Sequence, residues 1–143
     1  MTLPMVVRVA WQGAKIGFVF SQRGVVMEAA SSFFLPRLIG HSRAIFLTTT
    51  GSTLPASSPH FGDLFHEILP SPQEVLPRAL QLAEQIVEKT STVSTYLMRE
   101  MIWRGPGSAE GAHLLDSELM WELYDKEDKK EGFKAFLERG VRL

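Results

Sequence analysis

The stretch KIGFVFSQRGVVMEAASSFFLPRLIG, residues 15–40, decides the reading of this chain. A β-rich run ends near Phe20, a glycine follows at position 24, and an apolar segment with helical spacing occupies residues 27–39. Glu28 stands at the start of that segment, ahead of Ala29, Ala30, Phe33, Phe34 and Leu35. Because the other faces of such a helix want burial, the carboxylate is expected at the boundary between a core and a cavity, where an acid or base can be tuned. The plainer reading is that a glutamate in a first helical turn is favoured by the helix dipole, by about 0.3–1 kcal/mol, and does nothing else. Pro36 should kink or end the helix.

Val6 to Trp11 and Ile16 to Phe20 read as two short strands across a Gln12-Gly13 turn. His41 to Thr50 continues as a second helix after a break at Gly40. Gly51 to Gly62, rich in Ser, Thr, Pro and Gly, predicts an exposed loop, and Leu64 to Leu69 a last short strand. Ser71-Pro72-Gln73-Glu74 has the pattern of a capping box, followed by Leu76, Leu80, Ala83 and Val87 on one helical face. Pro77 lacks a donor, so a kink or a true helix start nearer Pro77 is expected. A further helix is expected over Ser91 to Trp103, stopped by Arg104-Gly105-Pro106-Gly107. Ser108 caps the next, and Asp128 with Glu131 opens a final short one.

With 143 residues, 45% of them hydrophobic, and a formal net charge of −1, the chain can bury a core and has no bulk attraction for nucleic acid or anionic membranes. The absence of cysteine removes disulfides, thiolate nucleophiles and thiolate metal sites. No window reaches the ~18 consecutive apolar residues of a membrane span, so a soluble chain is expected. No secretory signal or peroxisomal address is recognisable. A cytoplasmic location is expected, with peroxisome and mitochondrion left open. His41, His60, His66 and His113 show no metal-ligand spacing, so no metal is expected.

Gly24, Ser31-Ser32, Leu35-Pro36-Arg37-Leu38 and Gly40, together with Ser91-Thr92-Val93, Asp128-Lys129-Lys130-Glu131-Gly132-Phe133 and Phe136-Leu137-Glu138, form a recognisable set. In these residues the chain resembles the enoyl-CoA hydratase/isomerase, or crotonase, family, and in particular its isomerase-like branch. The resemblance implies an α/β fold, the C-terminal half of the crotonase spiral, mostly helical with a few short strands. It assigns residues 1–70 to the spiral core with its acyl-pocket helix, and 71–143 to a helical region for oligomerisation and coenzyme A covering. Family members are roughly twice as long, and the half that would precede Met1 is where the family keeps both backbone donors of its oxyanion hole.

The resemblance also separates two chemistries. In hydratases the preceding strand ends in a Pro-Glu pair, whereas Val19 and Phe20 stand at the matching positions. A phenylalanine transfers no proton. The isomerase-like branch supplies its acid from the start of the helix, the position of Glu28. Shifting a double bond in an acyl thioester needs a base that takes a proton from the carbon beside the carbonyl and returns it two carbons further on, while donors hold the enolate.

Phe18, Phe20, Phe33 and Phe34 flank Glu28 and are candidates for the acyl pocket, although aromatics at this spacing are more often core. Lys129, Lys130, Phe133 and Phe136 match the region that helps cover coenzyme A, against the default of a solvated helix face. Coenzyme A enters only as part of an acyl-CoA substrate, and no separate cofactor is implied. The resemblance further implies a homo-oligomer, a trimer or dimer of trimers. Two functions follow: an enoyl-CoA isomerase with Glu28 as proton shuttle, if the missing half is present, or a catalytically inactive truncated homologue. The latter would bind acyl-CoA or associate with full-length subunits.

Overall fold

The structure, a computed structural model, describes Leu3 and residues 7–138. Two compact units divide the chain, Met1–Leu82 and Ala83–Leu143. The division by role expected at residues 70 and 71 lies just ahead of the 3-10 turn Pro72–Glu74.

Among its described residues the first unit holds four strands of three residues each: β1 (Val9–Trp11), β2 (Lys15–Gly17), β3 (Thr53–Pro55) and β4 (Glu67–Leu69). β1 and β4 are parallel, with Ala10 opposite Ile68, and β2 and β3 are antiparallel, with Ile16 opposite Leu54. A parallel pair requires a long crossover. Here that crossover contains α1 (Ser31–Ile39) and α2 (His41–Thr50), divided by Gly40 as the sequence predicts. Leu35 and Ile39 from α1, Ala44 and Leu47 from α2, and Phe61, Leu64, Phe18 and Leu3 form one buried cluster. Arg8 fastens its rim, donating from Nε to the Leu64 carbonyl at 2.6 Å and from Nη1 to that of Leu3 at 2.9 Å.

Three local expectations are corrected. Pro36 does not end α1, which runs on to Ile39 because Leu35 and Ile39 on either side of it are anchored in the core. The span 51–62 is no simple exposed loop: it contains β3 and the start of a 3-10 segment, Pro59–Leu64, and it buries Ala56 and Phe61. The expected strand at 64–69 shrinks to β4, since Leu64 closes the preceding 3-10 segment and points into the core.

The remaining helices are α3 (Val75–Lys89), α4 (Thr92–Arg104), α5 (Ala109–Leu123) and α6 (Glu127–Glu138). Pro77 falls in the first turn of α3, where its missing N–H has no helical partner to lose. The Ser71 and Glu74 pair is joined side chain to side chain, Ser71 Oγ donating to Glu74 Oε1 at 2.7 Å, instead of capping the backbone. Ser108 caps α5 as expected, accepting from Gly111 N at 3.1 Å, and Ser91, expected only as the first residue of its helix, caps α4 by accepting from Ser94 N at 3.2 Å. Asp128 behaves differently from the expected Asp-x-x-Glu cap: its Oδ2 accepts from Ser91 Oγ at 2.5 Å, tying the start of α6 to the start of α4. None of α3, α4, α5 and α6 contains a buried residue among those described.

Candidate active site

Glu28 lies in the segment between a 3-10 turn, Ser21–Arg23, and α1. Gly24 ends that turn in the left-handed region at φ 67°, a conformation glycine adopts without a Cβ penalty. Met27 packs against the core, whereas Glu28 is exposed. This corrects the expected placement: the carboxylate precedes the helix by three residues and is not embedded at a core boundary. The physical reason is in the next two residues. Ala29 and Ala30 both have positive φ, 51° and 56°, so the helix cannot begin until Ser31. Ser31 then donates both its backbone N–H, at 3.0 Å, and its hydroxyl to the Glu28 carbonyl.

The four phenylalanines do not act alike. Phe18 belongs to the buried cluster, and Phe20 and Phe34 pack against it half-buried. Phe33 is 40% exposed, meets Phe34 edge-on with ring centroids 5.1 Å apart, and carries the Arg37 guanidinium 3.6 Å above its ring. The structure thus brings Phe18, Phe20 and Phe34 to the core and leaves Phe33 the most exposed of the four.

In the second unit, Lys129 Nζ sits 3.0 Å from the centre of the Tyr124 ring and Lys130 pairs with Glu127 at 2.8 Å. Phe133 and Phe136 are exposed. Phe136 lines a cleft of about 490 Å³ whose charged lining is Glu88, Asp128 and Glu131 with Lys89. Residues 83–143 carry nine Lys and Arg against twelve Asp and Glu. Residues 1–62 show the opposite balance, Arg8, Lys15, Arg23, Arg37 and Arg43 against a single acid, Glu28. That asymmetry is visible in the sequence and leaves Glu28 the one carboxylate among residues 1–62. Among the described residues no group of three or more His, Asp or Glu side chains is placed to hold a metal. No described helix is long and apolar enough to cross a membrane.

Comparison with known proteins places this arrangement. The family model described as enoyl-CoA hydratase/isomerase matches residues 2–142. An enoyl-CoA hydratase of Alternaria alternata is 48% identical over 139 residues, 97% of this chain and 47% of the relative. A probable enoyl-CoA hydratase of Bacillus subtilis is 28% identical over 133 residues, 93% of this chain and 52% of its own. Among solved structures, a probable enoyl-CoA hydratase/isomerase from Mycobacterium abscessus superposes with a TM-score of 0.87 at 26% identity, covering 95% of this chain and 54% of that one. The chain spans about half the length of the curated relatives it matches. With its mostly helical crotonase fold and few short strands, the chain belongs to the enoyl-CoA hydratase/isomerase family.

Proposed function

We propose that this chain carries the proton shuttle of an enzyme that moves a double bond within an enoyl-CoA thioester. The observation that carries the reading is Glu28 itself: it is the only carboxylate in the first 62 residues, is exposed, and follows an apolar anchor at Met27. As a base, it would take the proton from the carbon between the thioester carbonyl and the double bond. The electron pair would delocalise onto the carbonyl oxygen, and the same carboxyl group would return the proton two carbons further along. The enolate needs fixed donors, each worth roughly 3–4 kcal/mol. The family resemblance puts these in the half of the relatives' length that this chain does not match. The relatives are named as hydratases, but Phe20 replaces the second acid that hydration uses, which favours isomerisation. Phe33 is the ring best placed to meet an acyl chain. Lys129, Lys130, Phe133 and Phe136 are proposed to help cover coenzyme A.

The test is turnover of a β,γ-unsaturated acyl-CoA by the full chain and by Glu28→Gln, which keeps shape and removes basicity. A loss of 10²–10⁴-fold is expected for the variant. Equal, measurable turnover in both would remove Glu28 from the mechanism, and no turnover in either would favour a silent binder over catalysis.

A second reading is favoured by a separate observation, the uncovered apolar side chains of the helical region. Ile102 and Trp121 are each 80% exposed and Phe133 and Phe136 about 60%. On this reading the chain is a silent acyl-CoA binder that associates with itself or with full-length relatives. Chemically inert wild-type chain that co-sediments with a full-length relative would support it over catalysis.

A further inference from the structure

Two consecutive alanines in the left-handed region are the most unusual backbone feature of the described chain, and they immediately follow the proposed base. An L-residue there brings its Cβ against the following carbonyl, so a single such residue is uncommon and a pair survives only where its surroundings dictate it. Both sides of this pair are tied down. Upstream, Met27 packs on the core; downstream, α1 is held through Leu35 and Ile39. Ala30, the residue preceding the helix, has no side-chain acceptor with which to cap it. Ser31 supplies the local closure instead, placing its N–H and its hydroxyl on the Glu28 carbonyl, while the Ala30 carbonyl accepts from Phe33 N at 3.0 Å and Phe34 N at 3.1 Å.

Relaxing either alanine to an extended conformation would open the 28–31 turn and break both Ser31 bonds. Glu28 would then swing with the loosened segment. We propose that Ser31, acting with Ala29 and Ala30, is a positioning residue that sets the direction in which Glu28 presents its carboxylate, a role that rests on reading Glu28 as the proton shuttle. Ser31 touches no reacting atom in this scheme; it acts through the backbone of Glu28.

The experiment compares the full chain with Ser31→Ala, Ser31→Thr and the double variant Ala29→Gly/Ala30→Gly. Backbone NMR reads the turn, because left-handed residues give strong intraresidue HN–Hα NOEs, and turnover of a β,γ-unsaturated acyl-CoA reads the carboxylate. Strong NOEs are expected at Ala29 and Ala30 in the wild type, weakened in Ser31→Ala and restored in Ser31→Thr. In parallel, kcat should fall on the order of 10- to 100-fold in Ser31→Ala at unchanged KM, and recover in Ser31→Thr. The double glycine variant should melt no lower than the wild type yet lose kcat, separating positioning from stability. Weak NOEs in the wild type, or Ser31→Ala matching the wild type in NOEs or in kcat while Glu28→Gln is impaired, would overturn the inference. If the NOEs respond as expected but Glu28→Gln turns over like the wild type, the hold of Ser31 on the turn stands and the reading of Glu28 fails.

Discussion

At the scale of single residues, backbone conformation governs the region around Glu28 and the C-terminal end of α2. Gly51 ends α2 at φ 61°, and a Cβ there would lie 2.7 Å from the Gln22 side chain. That side chain donates from Nε2 to the Thr50 and Gly51 carbonyls at 3.1 and 3.0 Å. Gly51→Ala is therefore expected to destabilise the protein by about 2 kcal/mol, from the left-handed conformation and the displaced glutamine together, as read by urea unfolding. Ala30→Gly should do the reverse. Relief of about 1–2 kcal/mol of left-handed strain outweighs the about 0.4–1 kcal/mol of added unfolded-state freedom, so the urea midpoint should rise slightly. Glu28→Gln, at an exposed position with only its backbone engaged, should leave stability within about 0.5 kcal/mol while removing turnover.

Between elements, the first unit depends on a few side chains that join short strands to helices. Leu35 of α1 and Leu47 of α2 are fully buried. Leu35→Ala should cost about 2–5 kcal/mol in denaturant unfolding, the range spanned by how far the site collapses. β4 is joined to α3 by the Arg78 guanidinium, which grips Glu67 with Nε at 2.7 Å and Nη2 at 2.6 Å. These hydrogen bonds from Arg78, and its charge, hold the Glu67 carboxyl below the ordinary glutamate value. A group whose folded pKa is depressed adds stability above its unfolded pKa and loses it as pH falls through the folded value. The contribution should thus be complete at neutral pH and fade below the ordinary glutamate range. The melting temperature of Glu67→Gln should accordingly differ from that of the wild type at pH 7 and converge on it in acid. Both groups are solvent-exposed enough for salt to shrink the difference.

For the molecule as a whole, the contrast between the units matters most. The first has a buried cluster, whereas the helical region beyond it buries no described side chain fully and leaves Ile102, Leu114, Trp121, Phe133 and Phe136 exposed. Apolar surface of that kind drives association. Sedimentation velocity is expected to show a self-associating chain, and Ile102→Glu or Trp121→Glu should shift it towards monomer. A monodisperse wild-type monomer would remove the argument.

Much of this was legible along the chain. Gly40 separating two helices, Ser108 as a cap, and the stop after Arg104 are local: each depends on hydrogen bonds among residues three or four apart. The resemblance carried in residues 15–40 likewise led to the family and its crotonase fold. Strand pairing was not legible, because three-residue strands are too short for a pattern of alternation to declare itself, and β1 meets β4 more than fifty residues away. Nor was the persistence of α1 through Pro36, which local propensity opposes and the burial of Leu35 and Ile39 enforces. Glu28 shows the division most clearly. Its identity as the lone carboxylate of the first 62 residues belongs to the sequence. Its exposure ahead of the helix was decided by tertiary structure, since two alanines take left-handed backbone only when anchors on both sides leave them no other path.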